Sequence, residues 1–268
     1  MPARIKHMAI VSDDVPRLAA FYQTLFGMES PGERAGSTAL VVSDGYVGMN
    51  INPRANGRQG GFDHFGLEVD DVAEIEARLH ERYPQVTILK RPSNRPFAGL
   101  STHDPAGQTF DLSQADMENR RDVYAGGLES GQKPRHFDHL MLRTMDPEGI
   151  ATFYREIFDF IPLEKQADDP NFYLSDGTIT LVIAPWRIED YAGSGIERPA
   201  LDHIGFSVES LEAFHADLDT MAESNPELAP RAFRPGEGDV RRSLLAACTI
   251  GDHQLADPDG VLLDIHEA

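Results

Sequence analysis

The residues IKHMAIVSDDVPRLAAFYQTLFGM, 5–28, return as FDHLMLRTMDPEGIATFYREIFDF, 137–160. His7 falls on His139 and Tyr22 on Tyr154, both 132 residues apart, and the same spacing carries Ser43-Asp44-Gly45 onto Ser175-Asp176-Gly177 and Pro53 onto Pro185. A register held this long marks a duplicated unit, which has to be recognised before any single element is assigned. The match resumes after insertions. FDHFGLEVDDVAEIEARL (62–79) aligns with LDHIGFSVESLEAFHADL (201–218), placing His64 on His203 at a spacing of 139. THDPAGQTFDL (102–112) aligns with LADPDGVLLDI (255–265), placing Asp111 on Asp264 at 153, so the second copy has gained 7 residues and then 14 more. The first copy is expected over 1–122 and the second over 136–268. The linker between them, 123–135, carries Gly126, Gly127, Gly131 and Pro134.

Each copy divides again into two similar halves that open with a short strand around a histidine. In the first, Asp14 is a helix cap with Pro16 in the first turn, Leu18, Phe21, Tyr22, Leu25 and Phe26 keep helical spacing, and Gly27 is a stop. The third repeats this with Asp146, Pro147, Ile150, Phe153, Tyr154, Ile157 and Phe158. The second and fourth are expected to carry shorter helices near 72–82 and 211–222. Apolar runs follow, TALVV and YVGMNI around Asp44-Gly45, FYL and TITLVI around Asp176-Gly177, and Asp-Gly between such runs signals a hairpin. The unit is βαβββ, present four times, in an α+β chain.

Composition narrows the function. Of the 268 residues 41% are hydrophobic and 25% charged, as in ordinary globular proteins, which excludes disordered and fibrous classes. The net charge of −20 opposes binding to nucleic acid or an anionic membrane. No apolar run approaches the ~18 residues of a membrane span and the start does not resemble a signal peptide, so a cytoplasmic protein is expected. With Cys248 the single cysteine, neither an internal disulfide nor a thiolate zinc cluster is available, and a metal would be held by histidine and carboxylate.

Three polar positions recur inside apolar strands of both copies: His7, His64 and Asp111, then His139, His203 and Asp264. A lone histidine there is ordinarily a core residue. A carboxylate buried without a partner costs several kcal/mol, however, and two histidines with one aspartate arriving together twice point to convergence on a cation. Two imidazoles and one carboxylate form a facial triad suited to Fe(II) or a similar divalent ion with open positions.

These modules, the histidine on each opening strand and the closing DPxG-x-x-acid motif resemble the vicinal oxygen chelate superfamily, which includes glyoxalase I, extradiol dioxygenases and bleomycin-resistance proteins. The resemblance covers nearly the whole chain, whose length and paired domains are similar to the two-domain extradiol dioxygenases. It implies two domains, each an open, cup-shaped sheet made of two modules. It also implies metal ligands at His139, His203 and Asp264, where extradiol enzymes usually carry Glu for Asp264. The N-terminal copy is normally degenerate in that family, yet here His7, His64 and Asp111 are complete, so a second site stays open. The implied metal is Fe(II), with Mn(II), Co(II) or Zn(II) as alternatives. The implied activity is cleavage of a small dihydroxylated aromatic with dioxygen, in aromatic catabolism, by a homo-oligomer.

Departures from the family pattern bear on the chemistry. The strands that would carry the fourth ligand of glyoxalase I end Met49-Asn50-Ile51-Asn52 and Val182-Ile183-Ala184, with no acid. The extradiol acid–base positions, 19 and 10 residues before the acidic ligand, hold Leu245 and Gln254, which transfer no protons. Candidate replacements are His253, His266, two residues beyond Asp264 on the same strand face, and Tyr173. Bland roles suit the other polar residues: His103 in the DPxG turn, His80 and His136 facing solvent, and His215 on the polar side of its helix, while Asn50, Asn52 and Arg54 either line the N-terminal cup or end a strand. Trp186 reads as packing. Arg241 and Arg242 would attract an acidic substrate or offset nearby acids, and the insert 229–238 reads as a surface loop, with a lid as the other option. Besides a dioxygenase, the residues admit a metal-dependent lyase, isomerase or hydrolase, or a non-catalytic protein that binds an aromatic ligand.

Overall fold

The strand that opens each module pairs with another of its kind. The computed structural model describes residues 2–30, 37–91, 97, 99–116, 133–191, 194, 196–251 and 253–268. β1 (Arg4–Ser12) runs antiparallel to β4 (Gly61–Val69). The first sheet adds β2 (Leu40–Ser43), β3 (Gly48–Pro53), β5 (Leu89–Lys90), β6 (Leu100–His103) and β7 (Thr109–Gln114), in the order β2-β3-β1-β4-β7-β6-β5. In the second half β8 (His136–Thr144) runs antiparallel to β12 (Ala200–Val208). With β9 (Ile161–Pro162), β10 (Phe172–Ser175), β11 (Thr180–Pro185), β13 (His253–Ala256) and β14 (Leu262–Glu267), the order is β13-β14-β12-β8-β11-β10-β9. Each sheet draws on one copy of the repeat, giving two α+β domains. Of the expected linker only 133–135 is described; Gly126, Gly127 and Gly131 lie outside the described residues. The first strand after each helix shrinks to two residues in β5 and β9, and to single bridges, Glu29 with Ser43 and Arg231 with Ala256, in the outer modules.

The helices follow their caps. α1 (Val15–Phe26) starts where the Asp14 carboxylate accepts from Arg17 N at 3.1 Å and stops at Gly27, φ +62°. α3 (Pro147–Phe158) starts with Asp146 accepting from Gly149 N at 3.0 Å, but its left-handed stop is Asp159, φ +58°. α2 (Val72–Arg82) is short, as expected. α5 (Leu211–Ser224) is not: its 14 residues exceed the 12 of α1, because buried Met221 extends the apolar side until Asn225-Pro226 stops it. α4 (Ile188–Tyr191) is a single turn, and α6 (Glu237–Ala246) lies in the 14-residue insertion, following 229–236, which is loop as expected apart from the bridge at Arg231. Among the described residues no helix is long and apolar enough to cross a membrane.

The two halves share one core by exchange. From α1, Phe26 stacks on Phe206 of β12 at 4.0 Å, while from α3 Tyr154 lies 5.8 Å from Phe110 of β7. The Asp-Gly turns do more than close hairpins. Asp44 Oδ1 accepts from the Tyr46 and Val47 amides, while Oδ2 accepts from Phe137 N at 3.0 Å. Asp176 repeats this with Thr178, Ile179 and Ile5 N, the last at 2.6 Å. Each turn thus caps the opening strand of the other half.

Candidate metal centre

A strand alternates its faces, so residues three apart should point opposite ways. In all four opening strands they do not. Ile5 and Met8, Phe62 and Phe65, Phe137 and Leu140, Leu201 and Ile204 all pack into the helix-covered core. The cause is a β-bulge: the pairing skips Lys6, Asp63, Asp138 and Asp202. The extra residue turns the following histidine away from the core onto the open face, and leaves the skipped side chain beside it. His7 and His64 thereby meet on the open face of the first sheet, and His139 and His203 on that of the second.

In the second sheet His139 Nε2 lies 3.2 Å from His203 Nε2 and 3.2 Å from Asp264 Oδ2. Asp264 reaches this face because Leu263 and Ile265, its neighbours on β14, face the core. Gly205, opposite His139, makes room: a Cβ there would overlap the imidazole. The orientation of the rings comes from the bulges. Asp138 Oδ2 accepts from His139 Nδ1 at 2.8 Å, and Asp202 Oδ2 from His203 Nδ1 at 2.8 Å. Two Nε2 lone pairs then face each other at a separation that two metal–nitrogen bonds of about 2.1 Å bridge. Burial alone would raise the Asp202 carboxyl, but Arg143 at 3.3 Å, Arg241 at 3.2 Å and His203 hold it well below its ordinary value.

Whether this triad fits a cation is decided by Asp264. It is wholly buried and neither oxygen has a hydrogen-bond partner, since the approach to His139 does not have hydrogen-bond geometry. Burial pushes its carboxyl up, yet His139, His203 and His266 outweigh that and keep it below the ordinary carboxylate value. Burial likewise lowers His139, but Asp138 and Asp264 reverse it and bring the imidazole up to about 9. The pocket is built for positive charge. A divalent ion meets that demand and uses all three donors.

The first sheet has the same triad in different company. His7 Nε2 is 3.4 Å from His64 Nε2, which is 3.3 Å from Asp111 Oδ2. Asp63 accepts from His64 Nδ1 at 2.6 Å, as Asp138 and Asp202 do for their histidines. The bulged residue before His7 is Lys6, whose ammonium turns to Tyr46 O at 3.1 Å. Asp111 Oδ1 already accepts from Ser101 Oγ and lies 3.8 Å from the Arg91 guanidinium. Burial raises the Asp111 carboxyl, but His64, His7 and Ser101 bring it down to about 2. The buried Phe97 ring stacks on His7 at 4.8 Å.

Beside the second site lies a cleft of about 290 Å³, lined by Phe233, Arg241, Leu245, Gly251, His253 and Gln254 among others. Arg241, Leu245 and Gln254 also line a small space against His203, so these three side chains stand between the cleft and the triad. One wall is α6, fixed by Arg241 Nε donating to Ser194 O at 3.0 Å and by its ion pair with Asp202.

The three proton-transfer candidates separate. His266 shares the open face with Asp264, its Nδ1 3.8 Å from Asp138 Oδ2. Tyr173 also faces that side, but its hydroxyl donates to Asp169 at 2.7 Å and accepts from Thr249 N at 2.8 Å. His253 pairs with Ile265 while Gln254 takes the place opposite Asp264; its ring packs 4.5 Å from His215 and only borders the cleft. The structure therefore does not bring His253 to the triad. Sequence reasoning passed over Asp63, Asp138 and Asp202, although the dipeptide Asp-His at three of the four openings is their signal.

The family model for the glyoxalase/bleomycin resistance protein/dioxygenase superfamily matches residues 4–112 and 136–265. The chain belongs to that superfamily. Its two seven-stranded sheets have the vicinal oxygen chelate fold. No curated protein matches it by sequence. Among solved structures, it is similar to the 2,3-dioxygenase LapB from Pseudomonas sp. KL28, at 16% identity and TM-score 0.66, covering 100% of this chain and 93% of that one. It is also similar to a Mn(II)-bound glyoxalase from Novosphingobium aromaticivorans, at 15% identity and TM-score 0.65, covering 99% and 83%. A third is BphC, a halotolerant catechol dioxygenase, at 13% identity and TM-score 0.64, covering 100% and 87%. At such identities the likeness shows the shared fold.

Proposed function

We propose that His139, His203 and Asp264 hold a divalent metal, Fe(II) in the leading assignment, and that the chain is a dioxygenase opening a small dihydroxylated aromatic ring. The observation that carries this is Asp264, a buried carboxylate without a hydrogen-bond partner, in a triad separated from a cleft by Arg241, Leu245 and Gln254. With one face of the ion held by three donors, the bound metal supplies adjacent open positions for a chelating diol and dioxygen. Ring opening that takes up both oxygen atoms needs no outside reductant. Asp138 and Asp202 hold the imidazoles in the liganding tautomer. α6 and Leu245 shield the reacting atoms from water, and the Gln254 amide, across from Asp264, holds a substrate hydroxyl in place. His253 borders the cleft and His266 borders the donors, but neither does both. We therefore assign no side chain as a dedicated general base: the acidic hydroxyls of the substrate would release their protons to solvent, so that His253→Gln and His266→Gln each slow turnover by less than the ~100-fold of such a base.

The test is oxygen uptake and product absorbance with Fe(II)-loaded protein and a panel of catechols, hydroquinones and related diols. Uptake matched by ring-opened product supports the proposal; neither signal across the panel contradicts it. A second possibility rests on Leu245 and Gln254: with no proton-transferring side chain at either position, the metal would serve as a Lewis acid for an enolate or bound water in a lyase, isomerase or hydrolase. Turnover that persists without oxygen, on Mn(II), selects it.

A further inference from the structure

Among the described residues the first sheet repeats the donor set without a counterpart of α6, and this separates holding a cation from using one. His7, His64 and Asp111 come from three different strands, β1, β4 and β7, and their donor atoms all lie within 4.8 Å of one another. All three are buried. Gly66 stands opposite His7, where a Cβ would lie 3.0 Å from the His7 Cβ and 2.5 Å from the Phe97 ring, so the site depends on a residue without a side chain. Asp63 orients His64, and Asp63 is in turn held by Arg58 at 2.5 Å. These are the features of an organised ligand site: buried donors, a fixed tautomer and a supported second layer.

We propose that this face is a second divalent-cation site, structural in role and closed to substrate. Three observations shape it. The buried Phe97 ring stacks on the His7 imidazole at 4.8 Å and covers that face of it. Ser101 and Arg91 already hold Asp111 Oδ1, leaving Oδ2 as the single oxygen aimed at the histidines, whereas both oxygens of Asp264 await a partner. Among the described residues the first sheet has no counterpart of α6 to form a cleft wall. Positive charge from Arg91 beside Asp111, and Lys6 in place of an aspartate, make this the weaker site. Loss of one outer partner lowers metal affinity by about 10–100-fold, and the gap between the sites should be of that order.

The test is equilibrium dialysis of metal-free, full-length protein against Mn(II), with bound manganese counted per chain by mass spectrometry and the melting temperature followed in parallel. Wild type should bind two ions, the second about 10–100-fold more weakly, with a further rise in melting temperature as it fills. His64→Ala and the shape-preserving Asp111→Asn should each bind one, and His203→Ala should keep the weaker one. A single ion lost only in His203→Ala overturns the proposal, and would leave His64 as a protonated bridge between Asp63 and Asp111. A single ion lost only in the His64 and Asp111 variants upholds this site and overturns the assignment of the second sheet. No binding by wild type overturns both.

Discussion

The two open faces of this chain carry the same three ligand types on equivalent strands, yet they differ in what surrounds the carboxylate. Asp264 is buried with neither oxygen hydrogen-bonded, and its strand partner Gln254 lines a cleft. Asp111 is engaged by Ser101 and neighboured by Arg91, under a face where Phe97 covers His7. The residue paired with the acid differs: Ser101 pairs with Asp111 where Gln254 pairs with Asp264. A serine hydroxyl at that position satisfies its carboxylate; the longer glutamine leaves its own unsatisfied.

The sharpest way to break the contrast is to remove one ligand from each face. His203→Ala should abolish turnover, a loss of about a thousandfold or more if the metal provides several kcal/mol of transition-state stabilisation. His64→Ala should leave steady-state turnover within about twofold, as expected of a site outside the chemistry. Equal losses in both would erase the distinction. The orienting carboxylates come next. Asp138→Asn should weaken metal binding at the second triad by about 10–100-fold, measured by competition with a chelator, while Asp63→Asn leaves that affinity unchanged.

Packing around the rings predicts a smaller, structural difference. Gly205→Ala drives a methyl into the His139 imidazole and should cost about 1–3 kcal/mol together with metal. Gly66→Ala meets the Phe97 ring at 2.5 Å, a milder overlap than the one at His139, and should cost less by urea titration.

The joint between the halves gives the smallest effect. Tyr22 donates to Asp257 at 2.8 Å, whereas neither its counterpart Tyr154 Oη nor Asp104 Oδ2 has a hydrogen-bond partner. Burial raises Asp257 to about 6, against the lowering influence of Tyr22 and two backbone amides. The folded state therefore retains a proton that the unfolded chain releases from about pH 4 upward. The resulting cost is absent in strong acid, grows as pH rises toward 6 and is constant above. Between pH 7 and 5 the Asp257→Asn variant should lose about 1 kcal/mol of stability relative to wild type, read as a pH-dependent difference in melting temperature. A constant difference would mean that Asp257 titrates normally.

Much of this was legible beforehand. The 132-residue register fixed the modules, the caps at Asp14 and Asp146 fixed two helices, and the repeated His and Asp picked out both triads. The bulges were not read, although their trace is plain: Ile5-Lys6-His7-Met8 and three relatives put apolar residues three apart in a strand, which strict alternation forbids. Two other features depend on tertiary context. α6 has an Arg-rich, weakly apolar sequence that takes its place through Arg241 and Asp202, two elements distant in the chain. The turn aspartates look like local hairpin residues because their second partners, Phe137 N and Ile5 N, lie in the opposite half.

The most direct test of the central contrast is a crystal of the Fe(II)-loaded protein, grown without oxygen and measured at the iron absorption edge. An anomalous peak bonded to His139 Nε2, His203 Nε2 and Asp264, stronger than any peak at His7, His64 and Asp111, is the predicted result. A peak confined to the first sheet, or one in the second that Asp264 does not touch, would contradict it.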